Sequence, residues 1–294
     1  MEKALKVSII IPTYKRSDML CDTVESVLHQ TYPNIEVIVV DDNNPDTEWR
    51  KETSSKMSIF STDDRVKYIC HEKNKNGSAA RNTGIRNSTG DFFCFLDDDD
   101  FYYPDKISKQ VEFLLKNQVD ACFCDYKKNG VVVCVDKNID IARNILLEEP
   151  TPQTSGWMVT KNAVNSLNGF DESYFRHQDY EFLLRFLRAG FKIEKIGGIL
   201  YERRVTLIDN NPSGLKTEQI KDKLFGDFSD FVNYYVKNEK GFRNKLYVSS
   251  YASSFKNYYK SKDIKNCIRL FIKSCTCSIP ETLSCYAKII KSHI

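Results

Sequence analysis

The sequence contains no long apolar run. A helix that crosses a bilayer needs roughly 18 or more consecutive apolar residues, and no segment of this chain approaches that length. Residues 1–6 lead directly into a short apolar run, without the features of a secretory leader. These absences argue against a membrane-spanning protein, and we expect the chain to be cytoplasmic.

Paired cysteine motifs are also missing. None of the ten cysteines forms a C-x-x-C pair, and only Cys122/Cys124 and Cys275/Cys277 lie close together in the sequence. We therefore do not expect a zinc site or a disulfide framework. Reduced thiols are the expectation for a cytoplasmic protein.

The two ends of the chain differ in charge. Residues 1–214 carry 28 Lys and Arg against 33 Asp and Glu, whereas residues 215–294 carry 15 against 7. The turn-rich segment 209–214 separates the two parts. We predict a domain over residues 1–214 and a basic helical extension over residues 215–294, whose charge suits a polyanionic partner.

Short apolar strands alternate with amphipathic helices through the first part. Because these strands are continuously apolar, they are typical of an α/β protein with a mostly parallel sheet and helices on both faces. Ser17 is expected to cap the first helix, and two β runs around residues 127–130 indicate an added strand pair. We expect strands at 7–11, 37–40, 66–69, 92–96, 119–123, 193–196 and 199–201, and helices starting near 17, 79, 104, 161 and 179.

Two aspartate clusters directly follow predicted strands: Asp41 with Asp42, and residues 97–100, which are all aspartate. Ligands of open parallel sheets collect beyond the carboxyl ends of the strands. Each close carboxylate pair costs about 1 kcal/mol in water, so such a run is favoured only if it is solvated or holds a cation. In extended chain Asp97 and Asp99 point the same way, and oxygen ligands favour Mg²⁺ or Mn²⁺. A solvated loop or a helix cap is the alternative.

Four segments in order resemble the successive motifs of glycosyltransferase family 2. They are Val-Ser-Ile-Ile-Ile-Pro-Thr-Tyr (7–14), Val-Ile-Val-Val-Asp-Asp-Asn-Asn-Pro-Asp (37–46), Ala-Arg-Asn-Thr-Gly-Ile (80–85) and Gly-Asp-Phe-Phe-Cys-Phe-Leu-Asp-Asp-Asp-Asp (90–100). The resemblance covers about residues 5–205 and implies the GT-A fold, with a donor half to about residue 120 and an acceptor half to about residue 214. It implies inverting transfer of a sugar from a nucleotide diphosphate to an acceptor hydroxyl, with Mn²⁺ or Mg²⁺ as cofactor.

The resemblance places the nucleotide at the ends of the first strands. Asp42 would accept from a uracil N–H, which favours UDP, and Tyr14 would offer a stacking ring unless it is an ordinary packing residue. Arg81 either binds phosphate or pairs with the acidic loops, and Asp99 is the implied metal ligand. The residues implied in nucleotide binding are Pro12, Thr13, Tyr14, Asp41, Asp42, Arg81, Asp97 and Asp98.

The acceptor half resembles the family around residues 169–182. The family's base lies in a Glu-Asp pair at the start of a helix, and here that pair reads Gln178-Asp179. Asp179 is the implied general base, because a helix N-terminus favours an ionised carboxylate; a plain helix cap is the alternative. His177 is a rival base, and Trp157 is either a sugar-stacking or a core residue. The remaining residues implied near the sugars or the diphosphate are Trp157, His177, Gln178, Arg203 and Arg204.

The basic extension lies outside the resemblance. Segments 266–273 and 282–291 mix large apolar residues with Lys and Arg, so they could lie on an anionic membrane surface near a lipid-linked glycan acceptor, at the inner face of the cell membrane. Alternatively they pack against the domain or a second subunit in a homodimer. We do not expect nucleic-acid binding, because no recognised motif accompanies the charge.

Two rival functions remain open from the sequence. A metal-dependent nucleotidyltransferase would also use acidic residues on an α/β sheet, but it usually has a glycine-rich phosphate loop, and residues 12–17 contain no glycine. A catalytically silent nucleotide-sugar-binding protein is suggested by Gln178 in place of an acid. The resemblance favours assembly of a bacterial surface polysaccharide or glycolipid.

Overall fold

The computed structural model describes residues 5–204 and 213–291. The chain divides into two compact units, one of Met1–Asn138 with Pro152–Leu207 and one of Ile139–Thr151 with Ile208–Ile294. The segment 209–214, where we predict the domain boundary, lies largely outside the described residues.

The first unit is built on a nine-stranded sheet, counted over the described ranges. Its strand order is β3-β2-β1-β4-β8-β6-β9-β5, and β7 pairs with the outer part of β6. The strands are β1 (Val7–Thr13), β2 (Ile35–Asp41), β3 (Val66–Cys70), β4 (Phe92–Phe95), β5 (Phe101–Tyr102), β6 (Ala121–Lys128), β7 (Val131–Val133), β8 (Met158–Thr160) and β9 (Ile193–Arg203).

The sheet is mostly parallel, as the sequence predicts. Strands β1 to β4 pair in parallel, and β6 and β9 run in the same direction, whereas β5, β7 and β8 run opposite. Every residue of β2 is buried, and β1 is buried except for Pro12, because helices cover both faces of these apolar strands. Pro12 lies beyond the part of β1 that pairs with β4, where its missing N–H costs little.

Helices of the first unit follow the strands closely. They are α1 (Leu20–Leu28), α2 (Glu48–Met57), α3 (Gly77–Arg86), α4 (Lys106–Asn117), α6 (Lys161–Ser166) and α7 (Gln178–Arg188), and short 3-10 turns lie at Ser58–Phe60 and Thr154–Gly156. The prediction that Ser17 caps the first helix is wrong. Met19 occupies the position before α1, and the Ser17 carbonyl instead accepts from Leu20 N at 3.2 Å in a turn that precedes the helix.

The two last strands predicted from the sequence are one continuous strand, β9. Gly197 and Gly198 interrupt its apolar pattern, and Gly198 has a φ of 103°. The pairing with β6 shifts register there, from Phe123 opposite Lys195 to Asp125 opposite Ile199. A bulge of this kind bends a strand without ending it, which explains why the sequence pattern suggests a break.

The second unit is helical. It contains α5 (Ile141–Leu147), α8 (Gly214–Asp227), α9 (Ser229–Asn238), α10 (Phe242–Lys260), α11 (Ile264–Cys277) and α12 (Ile279–Lys291). The C-terminal helices confirm the predicted helical extension, but α5 is not predicted. Arg143 on α5 pairs with Glu239 after α9 at 2.8 Å, and Ser249 on α10 donates to the Leu147 carbonyl at 2.5 Å. No helix within residues 5–204 and 213–291 is long and apolar enough to span a bilayer.

Candidate functional site

The candidate site lies beyond the carboxyl ends of β1, β2 and β4. Because these strands are parallel neighbours, Thr13, Asp41 and the residues after Phe95 meet at one edge of the sheet. Helix α3 lies tightly on β1, since a Cβ added at Gly84 would come within 2.4 Å of Ile10 Cγ2. This close packing brings the start of α3, with Gly77 and Arg81, to the same edge.

Asp41 is fully enclosed by protein groups. Its Oδ1 accepts from Asn43 N and Nδ2, each at 2.8 Å, and its Oδ2 accepts from the Tyr68 hydroxyl at 2.5 Å. Arg50 Nε forms an ion pair with the same oxygen at 2.9 Å. Asp41 has no exposed surface, so its evident task is to hold the loop after β2.

Asp42 organises the loop that leads into α3. It accepts from Asn74 Nδ2 at 2.8 Å and from the backbone N–H groups of Lys75 and Asn76 at 2.8 and 2.9 Å, and His71 Nδ1 lies 2.7 Å from Oδ1. A carboxylate offers about four acceptor positions, and these partners occupy them. Recognition of a base by Asp42 stays a prediction, and a base N–H would have to displace one of these donors.

The four consecutive aspartates form a turn, which we call the acidic turn (residues 97–100). Asp100 N donates to the Asp97 carbonyl at 3.1 Å, and the Thr23 hydroxyl on α1 lies 3.1 and 2.9 Å from the carbonyls of Asp98 and Asp100. Residues 97–100 are therefore not extended chain, so the reason given for Asp97 and Asp99 facing one site does not apply, and their sharing of a cation stays a prediction.

Each carboxylate of the acidic turn has a different neighbour. Arg16 is shared by Asp98 at 2.9 Å and Asp99 at 2.6 Å. The Ser155 hydroxyl donates to Asp100 at 2.6 Å. Asp97, whose side chain is 41% exposed, pairs with Arg81 Nη2 at 3.0 Å and is the most open of the four.

The acidic turn carries more negative charge than its neighbours balance. The pKa of Asp98 is raised to about 7, mainly by burial and in part by the charges of Asp99 and Asp97, although Arg16 and a hydrogen bond with Thr13 oppose the rise. Burial and the charge of Asp97 likewise raise the pKa of Asp99 and of Asp100 above their usual range. Buried like charges behave in this way when positive charge is lacking nearby.

This charge imbalance fits a divalent cation. Within the described ranges no group of three or more His, Cys, Asp or Glu side chains is arranged to hold a metal by itself. Mg²⁺ and Mn²⁺ sites that act on phosphates need only one or two protein carboxylates, with the remaining ligands from substrate and water. The open Asp97 and the partly exposed Asp99 meet that requirement.

One arginine joins the acidic turn to the start of α7. Arg81 Nη1 donates to Gln178 Oε1 at 2.7 Å while its Nη2 pairs with Asp97. A Cβ at Gly77 would lie 2.8 Å from Gln178 Oε1 and 3.2 Å from Arg81 Nη1, so a glycine leaves room for this contact. Of the two roles left open for Arg81, the structure favours pairing with the acidic turn.

Asp179 lies in the first turn of α7, next to Gln178. It is half-buried, and among the residues that the structure describes its carboxylate has no hydrogen-bond or ion-pair partner. The predicted alternative, a helix cap, does not describe it, because the capping position belongs to His177, which has a φ of 58°. A carboxylate without such a partner, next in the chain to the glutamine that binds Arg81, is suited to accept a proton.

The predicted aromatic residues differ in accessibility. Trp157 has no exposed surface and stacks on Phe182 with ring centroids 6.1 Å apart, so the structure favours its core alternative over a sugar-stacking role. Tyr14 is half-buried. Lys15 Nζ lies 5.1 Å from the Tyr14 ring and 4.8 Å from the ring of Trp49, which is 43% exposed.

The two arginines at the end of β9, Arg203 within it and Arg204 just after it, have different partners. Although burial opposes its charged form, Asp100 and Asp97 raise the pKa of Arg203, which places its guanidinium beside the acidic turn. Arg204 instead pairs with Asp22 on α1 at 3.2 Å, and only its backbone N–H reaches Asp100, at 3.2 Å. Arg203 is therefore the better candidate for a diphosphate contact.

Several residues that shape the site are not predicted from the sequence. They contact the predicted residues through the fold and carry no local sequence signal except that Arg16 follows the Pro12-Thr13-Tyr14 segment. Thr13 donates to the Arg16 carbonyl at 2.8 Å, which fixes the loop that carries the guanidinium. The unpredicted site residues are Arg16, Thr23, Arg50, His71 and Asn74.

Comparison with known sequences identifies relatives across most of the first unit. The sequence profile of Glycosyl transferase family 2 matches residues 8–186. The β-1,3-glucosyltransferase WfgD of Escherichia coli, described as acting from UDP-Glc on α-D-GlcNAc-diphosphoundecaprenol, is 36% identical over 76% of this chain and 86% of its own length. The amylovoran biosynthesis glycosyltransferase AmsB of Erwinia amylovora is 29% identical over 76% of this chain and 77% of its own.

Other relatives are much longer than this chain. An uncharacterised glycosyltransferase of Rickettsia felis is 41% identical over 123 residues, which span 42% of this chain and 19% of that protein.

Solved structures agree with the sequence relatives at the level of the fold. S. aureus TarS, residues 1–349 with UDP-GlcNAc, has a TM-score of 0.62 at 17% identity and covers 90% of both chains. The mannosyltransferase PcManGT of Pyrobaculum calidifontis, with GDP-Man and Mn²⁺, has a TM-score of 0.61 at 14% identity and covers 100% of this chain and 82% of its own. The profile match, the relatives and the shared architecture together show that this chain belongs to glycosyltransferase family 2 and has the GT-A fold.

Proposed function

We propose that the chain transfers a sugar from a UDP-sugar to a hydroxyl of a glycan or lipid-linked glycan, with inversion at the anomeric carbon. One observation carries the proposal. Asp179, a carboxylate without a partner among the described residues, stands beside Gln178, and Gln178 is linked through Arg81 to the acidic turn. Arg81 thus contacts both the acidic turn, which would bind a cation, and Gln178, the chain neighbour of the proposed proton acceptor. A base and a cation site connected in this way suit a single-displacement reaction.

The donor would lie against the acidic turn and the end of β1. Arg203 would balance charge on the diphosphate, and Tyr14 with the exposed Trp49 offers aromatic surface for the base. A divalent cation held by Asp99, with Asp97 within the same turn, would neutralise charge on the leaving diphosphate. In this proposal residues 1–120 form the donor half and residues 121–214 the acceptor half.

The transfer itself is a single displacement in which Asp179 acts as the general base. The acceptor oxygen forms a bond to the anomeric carbon as the bond from that carbon to the phosphate oxygen breaks. Asp179 accepts the acceptor's proton, and the nucleoside diphosphate leaves with the electron pair. Because the attack comes from the face opposite the leaving group, the configuration inverts and no covalent enzyme intermediate forms.

Relatives support the substrate classes. WfgD is named for UDP-Glc and a diphosphoundecaprenol acceptor, AmsB for amylovoran biosynthesis, and TarS binds UDP-GlcNAc. PcManGT binds GDP-Man and Mn²⁺, so the family's fold also accepts guanine donors. We propose a UDP-sugar donor and a role in bacterial surface polysaccharide or glycolipid assembly.

A second candidate is a nucleotide-sugar-binding protein without transfer activity. The observation that favours it is Gln178 in place of the acid expected before Asp179. One experiment distinguishes the transferase from the binding protein, because it measures both binding and turnover of the same ligands.

The experiment is a thermal-shift screen of UDP- and GDP-sugars with and without Mn²⁺ or Mg²⁺, followed by detection of released nucleoside diphosphate. Stabilisation by UDP-sugars only with metal, together with release of UDP, supports the proposal. Stabilisation without any release, even with membrane extracts as the acceptor source, supports the binding protein instead. An absence of stabilisation by every nucleotide contradicts both.

A further inference from the structure

Helix α11 exposes a stripe of large apolar side chains. Ile264, Ile268 and Ile272 are 58%, 56% and 56% exposed, and Phe271 is 38% exposed. Their spacing of i, i+4, i+7 and i+8 places them on one side of the helix, next to the buried face of Cys267, Leu270 and Ser274.

Helix α12 adds a second exposed pair one turn apart. Ile279 and Leu283 are 60% and 58% exposed. We call these six side chains the apolar stripe: Ile264, Ile268, Phe271, Ile272, Ile279 and Leu283. Scattered single apolar residues are ordinary on protein surfaces, but exposed apolar residues that recur at helical spacing mark an interaction surface.

The surroundings of the apolar stripe are strongly basic. Residues 256–283 contain six Lys or Arg against two acids, Glu281 on α12 and Asp263, whose carboxylate caps α11 by accepting from Asn266 N at 3.1 Å. Lys265 and Lys273 on α11 and Lys262 just before it are exposed, as are Lys256 and Lys260 near the end of α10.

We propose that the apolar stripe docks on an anionic lipid surface. An amphipathic helix whose apolar residues are bordered by lysines binds at the headgroup boundary, where acyl chains receive the apolar residues and anionic headgroups meet the ammonium groups. A second copy of the chain fits less well, because two such surfaces would bring lysines of the same sign together. The proposal concerns the second unit alone and does not depend on the proposed transfer reaction.

The test is co-sedimentation of the full chain with vesicles of phosphatidylcholine, with or without phosphatidylglycerol. We expect binding to vesicles that contain phosphatidylglycerol, weaker binding without it, and a loss of binding as the salt concentration rises. The double variant Ile268→Asp/Ile272→Asp should lower the vesicle partition coefficient at least about tenfold. The matched control is Ile59→Asp, because Ile59 is 68% exposed in the first unit and should have no effect.

A second double variant tests the contribution of the lysines on α11. Its melting temperature shows whether a loss of binding could come from misfolding instead. Lys265→Glu/Lys273→Glu should weaken binding to anionic vesicles and leave the melting temperature unchanged, whereas Lys116→Glu, an exposed lysine on α4, should change neither. Failure of the unaltered chain to bind anionic vesicles overturns the proposal. So does a dimer in sedimentation velocity that Ile268→Asp/Ile272→Asp dissociates while vesicle binding is unchanged, since the stripe would then be occupied by a second copy.

Discussion

Arg81 on α3 donates a 2.7 Å hydrogen bond to Gln178 at the start of α7, although 97 positions separate them in the chain. The same guanidinium pairs with Asp97 in the acidic turn. The position where the family resemblance implies an acid is thus neutral here, and Gln178 holds an arginine instead. In the proposed mechanism Arg81 is a positioning residue, which links the acidic turn of the donor half to the helix start that carries Asp179.

Gly77→Ala tests this contact without altering either partner. The added Cβ would lie 2.8 Å from Gln178 Oε1, so the Arg81–Gln178 pair must move, and we expect kcat to fall about tenfold or more, because small displacements near reacting groups are costly. Alanine favours a helix over glycine, so the free energy of unfolding should stay within about 1 kcal/mol.

Gly226→Ala on α8 is the matched control for that substitution. Among the described residues nothing lies within 4 Å of its added Cβ, and this variant should keep both full activity and full stability. An active Gly77→Ala enzyme would show that the contact between Arg81 and Gln178 is not needed for transfer.

Asp179→Asn tests the general base. The amide cannot accept the proton, so kcat should fall about 10²- to 10⁴-fold, while the affinity for the nucleotide sugar, measured by calorimetry, should stay the same. Asp64→Asn, a change at an exposed aspartate in the loop before β3, serves as the control. Undiminished transfer by Asp179→Asn would rule out Asp179 as the base and leave His177 as the candidate base.

Asp99→Asn tests the cation site. Removing one of the crowded carboxylates relieves repulsion within the acidic turn, and Arg16 keeps Asp98 as its partner, so the unliganded variant should be at least as stable as the parent. Stabilisation by UDP with Mn²⁺ should disappear in thermal-shift titrations. Persistence of that metal-dependent stabilisation would place the cation elsewhere.

Glu36 provides a pH prediction that is independent of function. Although burial opposes its ionised form, hydrogen bonds from Ser8 and Thr89 N and the Lys6 ammonium lower the pKa of Glu36 from 4.5 to about 2. A carboxyl group whose pKa is lower in the folded protein stabilises the fold at pH values above its pKa in the unfolded chain. This stabilisation is lost as the pH falls from about 4.5 to about 2.

Glu36→Gln should therefore lower the free energy of unfolding by on the order of 2 kcal/mol at neutral pH, and this difference should shrink toward zero in acid. Urea titrations at several pH values provide the measurement. Glu112→Gln, at an exposed position on α4, should show no such dependence, and a pH-independent deficit for Glu36→Gln would contradict the assigned cause.

The sequence predicts the features that depend on local pattern. Continuous apolar runs indicate buried parallel strands, and the aspartates that follow them lie at one edge of the sheet, as expected. Asp179 also lies at a helix start, as predicted. These features follow from the order of residues within a few positions of each other.

The features that the sequence does not predict depend on distant partners. The hydroxyl of Thr23, some 75 positions earlier, donates to the carbonyls of Asp98 and Asp100 and so supports the acidic turn, which local sequence does not predict. The contacts of Arg50 with Asp41 and of His71 with Asp42 also cannot be predicted from local sequence, because the fold brings these residues together.

Helix α5 has a consequence for how the protein could have been assembled. Residues 139–151 interrupt the first unit and pack with helices that follow much later, through Asp140 with Tyr235 and through Arg143 with Glu239. The chain therefore enters the second unit twice, and a version that stopped after β9 would keep α5 but lose its partners. Removing the helical unit as a whole would therefore require excision of residues 139–151 as well as the C-terminal helices.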